Sequence, residues 1–157
     1  MCTCTHNYFH SHESGPHGAL DNRQGQRRVF DAIDYLHTID RKWFKLGVRV
    51  NMVPYGETDG TFKTKNGIIL AHYESKYVKD AKFYYGIITL NVETLAKQSI
   101  EEIRETIRHE YAHAVVALKY GLRGCVHGQA WINVAKMLRC DVKRYEWQLK
   151  HKCNIYD

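Results

Sequence analysis

The 157-residue sequence lacks any long apolar run. Nothing in it approaches the roughly 20 consecutive apolar residues that a membrane-spanning helix needs. The opening stretch, MCTCTHNYFHSHESGPHGALDNRQGQRR, also lacks the apolar core of a secretory signal. These two absences predict an intracellular protein, cytoplasmic or nucleoid-associated, with no membrane partner. The sequence also lacks a C-x-x-C pair, because its five cysteines are scattered at 2, 4, 125, 140 and 153. That excludes a zinc ribbon and a thioredoxin-type motif, and an odd cysteine count argues against a disulfide framework. Acidic residues are the minority charge, 17 against 23 lysines and arginines, for a net charge of +6. A basic balance suits a polyanionic partner such as nucleic acid, although a solvated basic surface explains it equally well.

What is present fits one ordinary globular domain, with 44% hydrophobic and 25% charged residues. Residues 1–24 carry several glycines, Pro16 and no periodic apolar pattern, and read as a flexible arm containing His and Cys. The domain proper is expected over 25–142, followed by a basic tail over 143–157. Val29, Phe30, Ile33, Leu36 and His37 fall at helical spacing and predict a first helix over about 26–39. GVRVNMV (47–53) alternates like a strand, Asn66-Gly67 signals a tight hairpin, and FYYGIITLNV (83–92) reads as another strand. Ser99 with Glu102 three positions later is a capping-box pattern opening a long helix. Ile103, Ile107, Ala114 and Leu118 give that helix one apolar stripe, and Gly121 can take a left-handed cap at its end. A further helix is expected from about Gly128, burying Trp131, Val134 or Ala135, and Leu138. The order is helix, small antiparallel sheet, two helices, an α+β domain.

The chemistry concentrates in RHEYAHAVVALKYGLRGCVHGQAW, residues 108–131. HEYAH fits H-E-x-x-H, in which two histidines one helical turn apart face the same metal ion. Ten histidines in the chain make a chance match cheap. Context therefore has to carry the motif, and it lies in the middle of a capped, periodic helix. Zinc held by three protein ligands keeps a fourth position for water, whose pKa falls to about 7. Glu110, one step round the helix from His109, can hold that water without being a ligand. The third ligand separates subclasses. Positions 116 and 119 are Val and Lys, which excludes the longer motif H-E-x-x-H-x-x-G-x-x-H. Glu146 is the only glutamate after Glu110 and lies in the basic tail, whereas His127 follows a turn containing Gly121 and Gly124. His109, His113 and His127 are thus the expected ligands of one zinc ion. The bland alternatives are a chance histidine pair and a purely structural zinc, with Cys125 as a conceivable fourth ligand.

With these residues in hand, HEYAHAVVALKYGLRGCVHGQAW resembles the SprT-like family of zinc metallopeptidases. The family pattern is H-E-x-x-H-A and, after a short turn, H-G-x-x-F/W. Here it reads His109, Glu110, His113, Ala114, then His127, Gly128 and Trp131. YYGIITLN (84–91) is similar to the strand preceding the family's active-site helix. The resemblance covers about 26–140 and implies a zincin-like minimal metallopeptidase domain acting on protein or peptide substrates. It further implies a link to DNA, single-stranded or crosslinked to protein, since eukaryotic relatives cut DNA-crosslinked proteins. Many relatives carry a C-terminal zinc ribbon, which is missing here, so any DNA contact falls to the domain or to the basic tail. Lys143, Arg144, Trp147, Lys150 and Lys152 are the candidates for such contacts. A monomer is expected.

In the expected mechanism Glu110 is the general base, returning the proton to the leaving amine. A peptide would add to a sheet edge along 86–91. Tyr84, Tyr85 and Tyr120 are candidates for steadying the oxyanion. Only neutral imidazole binds zinc, so occupancy and cleavage are expected to decline as pH falls through about 6.5. Undiminished zinc and cleavage at pH 4.5 would contradict the ligand set. Cys2, Cys4, His6, His10 and His12 cluster without a standard finger spacing, and incidental metal binding or plain disorder is the simpler account. The rival to a peptidase is a non-proteolytic, zinc-containing, basic regulatory protein associated with DNA or RNA.

Overall fold

Proline is absent from residues 22–42, and small or apolar side chains recur there every three or four positions. In the computed structural model, which describes residues 7–8, 22–53, 63–64, 67–121 and 127–151, they form helix α1 (Asn22–Lys42). Its inner stripe is Gly25, Val29, Ala32, Leu36 and Ile39, spaced 4, 3, 4 and 3. The helix therefore starts earlier than the spacing predicted, and two residues assigned to its inner face lie outside it. Phe30 is 54% exposed and His37 is exposed as well. Gly25 supplies the reason for the early start, because its missing side chain lets α1 close onto the 95–98 turn. A Cβ there would stand 2.3 Å from the Ala96 carbonyl oxygen. Arg28 fastens the same contact, donating from Nε to the Gln98 carbonyl at 3.0 Å and from Nη2 to the Ala96 carbonyl at 2.9 Å.

Strands β2 (Arg49–Val53), β5 (Ala71–Val78) and β6 (Phe83–Asn91) form the main sheet, in the order β2-β6-β5. β5 and β6 pair antiparallel as a hairpin, with Tyr77 opposite Tyr84 and Ala71 opposite Leu90. β2 runs parallel to β6, Arg49 opposite Ile87. The sheet is mixed, then, and not wholly antiparallel as the sequence suggested. The hairpin occupies one side of β6, so β2 can join only on the other, and it does so in the same direction as β6. A second sheet joins β1 (Asn7–Tyr8), β3 (Lys63–Thr64) and β4 (Gly67–Ile69), all antiparallel, in the order β1-β4-β3. Thr64 opposite Gly67 is the hairpin signalled by Asn66-Gly67, with Gly67 already in the strand.

Asn91 ends β6 and opens α2 (Val92–Leu95). Its side chain accepts from the Thr94 amide at 3.3 Å and donates to the Ile69 carbonyl at 3.1 Å. The long helix α3 (Ile100–Leu118) starts at the expected capping box: the Glu102 amide donates to Ser99 Oγ at 3.2 Å and the Ser99 amide to Glu102 Oε1 at 3.3 Å. Such a cap contributes about 1 kcal/mol. Gly121, at φ +72°, takes the left-handed conformation beyond the helix end. α4 (Gln129–Met137) buries Trp131, Ile132, Val134 and Ala135, with Leu138 buried just after it. α5 (Lys143–Lys150) closes the described chain. α3 is the centre of the core: α1, α4 and the β5–β6 face pack around it, and 12 of its 19 residues are buried. The result is the expected α+β architecture, compatible with a zincin-like domain. Among the described residues no helix is long and apolar enough to cross a membrane.

Candidate metal centre

His109 and His113 lie one turn apart on α3, on the side facing α4, and His127 stands two residues before the first residue of α4. All three are buried, at 4%, 3% and 1% exposure. Their Nε2 atoms form a nearly equilateral triangle, with 3.2 Å between His113 and His109, 3.1 Å between His113 and His127, and 3.0 Å between His127 and His109. A neutral imidazole offers one proton or one lone pair at Nε2, so three such atoms facing one another cannot all be matched by hydrogen bonds. A shared cation resolves that conflict. Three nitrogens each ~2.0–2.1 Å from one tetrahedral ion stand about 3.3 Å apart, close to the spacing here. The donor set is therefore one that could hold a metal ion, and three imidazoles are compatible with zinc.

Packing fixes the imidazoles. Trp131, one turn into α4, meets all of them, with ring centroids 4.5 Å from His109, 5.4 Å from His113 and 4.5 Å from His127. Its indole N–H donates to the His109 carbonyl at 3.4 Å, tying α4 to α3. Tyr145 of α5 closes the other side, with its ring 4.2 Å from His127 and 5.6 Å from His109. Glu110 follows His109 directly and is fully buried. The next residue, Tyr111, turns the opposite way and donates its hydroxyl to Asp40 of α1 at 2.6 Å. Burial and that bond to Asp40 raise the Tyr111 pKa well above its ordinary value, so it stays protonated.

The other sequence candidates separate by position. Lys143, Arg144, Trp147 and Lys150 are exposed on α5, Trp147 stacked on His151 with centroids 4.3 Å apart, and Lys152 lies outside the described residues. Glu146, set aside as a ligand on sequence grounds, faces solvent and pairs with Lys136 at 3.1 Å. Tyr84 and Tyr85 sit at the end of the β5–β6 hairpin remote from Leu70, the residue that borders a cavity beside His109. Tyr120 is 54% exposed past the end of α3. None of these three tyrosines is brought to the histidine cluster. Cys125 and the arm residues Cys2, Cys4, His6, His10 and His12 lie outside the described residues.

Tyr145 is the site neighbour that the sequence reading missed, because it sits in a run of charges. A signal existed: Val142, Tyr145 and Leu149 repeat at 3 and 4, an apolar stripe along a basic helix. The expected docking edge also changes. β6 is the central strand, paired on both sides over 87–90, so the greater part of the 86–91 stretch offers no edge.

A family model described as the SprT-like family matches residues 34–151, a span that runs from α1 through α5. No curated protein and no solved structure matches the chain.

Proposed function

The chain belongs to the SprT-like family, a membership that suggests a metallopeptidase-like domain, and on that footing we propose that it is a zinc-dependent endopeptidase. The observation that carries the reading is the buried triangle of imidazole nitrogens, 3.0–3.2 Å on a side, with the fully buried Glu110 beside it. His109, His113 and His127 would hold one zinc ion. When bound, zinc polarises a carbonyl and brings the pKa of water down to about 7. Glu110 then takes a proton on its carboxylate from the attacking water and passes it to the leaving amine nitrogen. Trp131 and Tyr145 keep the imidazoles aligned and bulk water away from them.

The substrate is a protein segment in extended form. With β6 enclosed, it adds along the outer edge of β5, where no strand pairs among the described residues. That edge runs down to Leu70, beside the cavity that His109 lines. A DNA-associated substrate fits the net charge of +6 and the exposed cations of α5.

The test pairs metal content with cleavage. Wild-type and Glu110→Gln proteins are assayed for zinc by mass spectrometry, then for proteolysis of a basic protein with and without single-stranded DNA. One zinc in each and cleavage by wild type alone is the expected result, and stimulation by DNA would add the crosslinked substrate class. Zinc in both with cleavage in neither would favour the non-proteolytic regulatory protein. No zinc in either would overturn both readings.

A further inference from the structure

A cavity of about 460 Å³ opens beside His109, within the ~300–1,000 Å³ range of ligand pockets. Its walls carry four carboxylates, those of Glu101, Glu102, Glu105 and Asp141. Glu102, Glu105, Thr106 and His109 follow at spacings of 3, 1 and 3, so the cavity runs along one face of α3 from the metal centre toward the helix start. Leu70 and Tyr145 supply apolar wall.

Helix capping explains part of this acidity. Glu101 and Glu102 sit in the first turn of α3, where carboxylates favour the helix dipole. Glu105 lies beyond that turn and ties α3 to the α4–α5 connection, its Oε1 accepting from the Asp141 amide at 2.9 Å, while Asp141 Oδ1 accepts from the Lys143 amide at the start of α5 at 3.2 Å. The guanidinium on the wall, Arg108, is already engaged: it donates to Glu105 Oε2 at 2.8 Å and to the Tyr35 hydroxyl at 3.2 Å. Glu101 also pairs with Arg104 at 3.8 Å, yet the four carboxylates still outnumber the two cations, and the cavity is negative within a protein that is positive overall.

Gln98 is the independent observation. It lines the same cavity, is 5% exposed, and neither its Oε1 nor its Nε2 has a hydrogen-bond partner among the described residues. A buried amide left unsatisfied is costly, because it has given up its bonds to water without replacing them. Its backbone is nonetheless held in place, through the Arg28 bond to its carbonyl and its own amide donating to the Leu95 carbonyl at 2.9 Å. A rigidly placed amide with an unpaired acceptor, set among carboxylates, matches an incoming N–H donor that bears positive charge.

We infer that this cavity is a specificity pocket for the cationic side chain, lysine or arginine, of a protein substrate. The cation enters beside His109, its aliphatic stem lies on Leu70 and Tyr145, and its head is received by Gln98 Oε1 and the carboxylates of Glu105 and Asp141. The inference rests on the peptidase reading for its meaning but can be tested without turnover.

The experiment measures binding of two fluorescent peptides to zinc-supplemented Glu110→Gln protein by anisotropy. The peptides differ at one position, lysine in one and norleucine, which keeps the stem without the charge, in the other. We expect the lysine peptide to bind about tenfold more tightly, with the gap narrowing as salt rises. Adding Gln98→Leu, or the exposed substitution Asp141→Asn, should shrink that gap to about twofold. Equal affinities, no binding of either peptide, or a full preference retained in both variants would each overturn the pocket. Wild type separates the two readings. A lysine preference in binding with no cleavage of either peptide would defeat the peptidase and keep the pocket. Cleavage of both at one rate would do the reverse.

Discussion

Helices α3 and α5 both carry candidate functional residues and treat them in opposite ways. α3 buries 12 of its 19 residues, among them His109, Glu110 and His113. α5 buries one residue of eight, Tyr145, and leaves Lys143, Arg144, Trp147 and Lys150 in solvent. The difference matches what each proposed chemistry would need. Metal ligation and proton transfer need groups held to within a fraction of an ångström in a shielded place. Phosphate contacts need only accessible charge. The one buried residue of α5 turns toward the histidine cluster of α3, so the basic helix also forms a wall of the candidate metal centre.

The largest effect expected from disturbing this contrast is at Glu110. Glu110→Gln should lower the cleavage rate by about 10²–10⁴-fold while zinc content stays at that of wild type. Next comes the packing that holds α3 against α4. Trp131→Ala empties a site touching all three imidazoles and should cost about 3–5 kcal/mol of unfolding free energy, read from urea denaturation. Tyr145→Leu keeps the bulk but removes the aromatic wall beside His127. Zinc affinity, measured by competition with a chelator, should fall by about 10–100-fold, the range seen when groups supporting metal ligands are removed. Smallest for the fold is neutralisation of Lys143, Arg144 and Lys150 to glutamine, which should shift stability by no more than about 0.5 kcal/mol. If α5 tracks phosphates, the same change flattens the salt dependence of single-stranded DNA binding, by about one log unit per log unit of salt for each phosphate no longer neutralised. A large drop in zinc content in that triple variant would break the division between the two helices.

Local rules made α3 legible. A capping box, a 3.6-residue period and a histidine pair at i, i+4 are all written within 15 residues, and the turn through Gly121 pointed onward to His127. α4 was equally readable, because Trp131, Val134, Ala135 and Leu138 share one face. The direction of β2 was not, since alternation within a strand does not record which neighbour it will join. The same gap hid the fact that β6 is enclosed. At α1 a hydrophobic count favoured Phe30, whereas close packing against Ala96 selected the face bearing Gly25 and Ala32. Tyr145 was masked by the charges around it, though its spacing from Val142 and Leu149 carried the information.

Asp40 has a consequence for how the molecule comes apart. Its carboxylate accepts from the amides of Leu46 and Gly47, each at 2.8 Å, and from the hydroxyl of Tyr111, the neighbour of Glu110. One side chain at the end of α1 thus anchors both the approach to β2 and the rotation of α3 about its axis. Pulling α1 away would break three hydrogen bonds at once and strand the buried Tyr111 hydroxyl, so the first helix does not fray separately from the helix that bears the histidines. The amide protons of Leu46 and Gly47 should therefore exchange with solvent through the same rare opening as those in the middle of α3, making the end of α1 and the central helix a single cooperative unit.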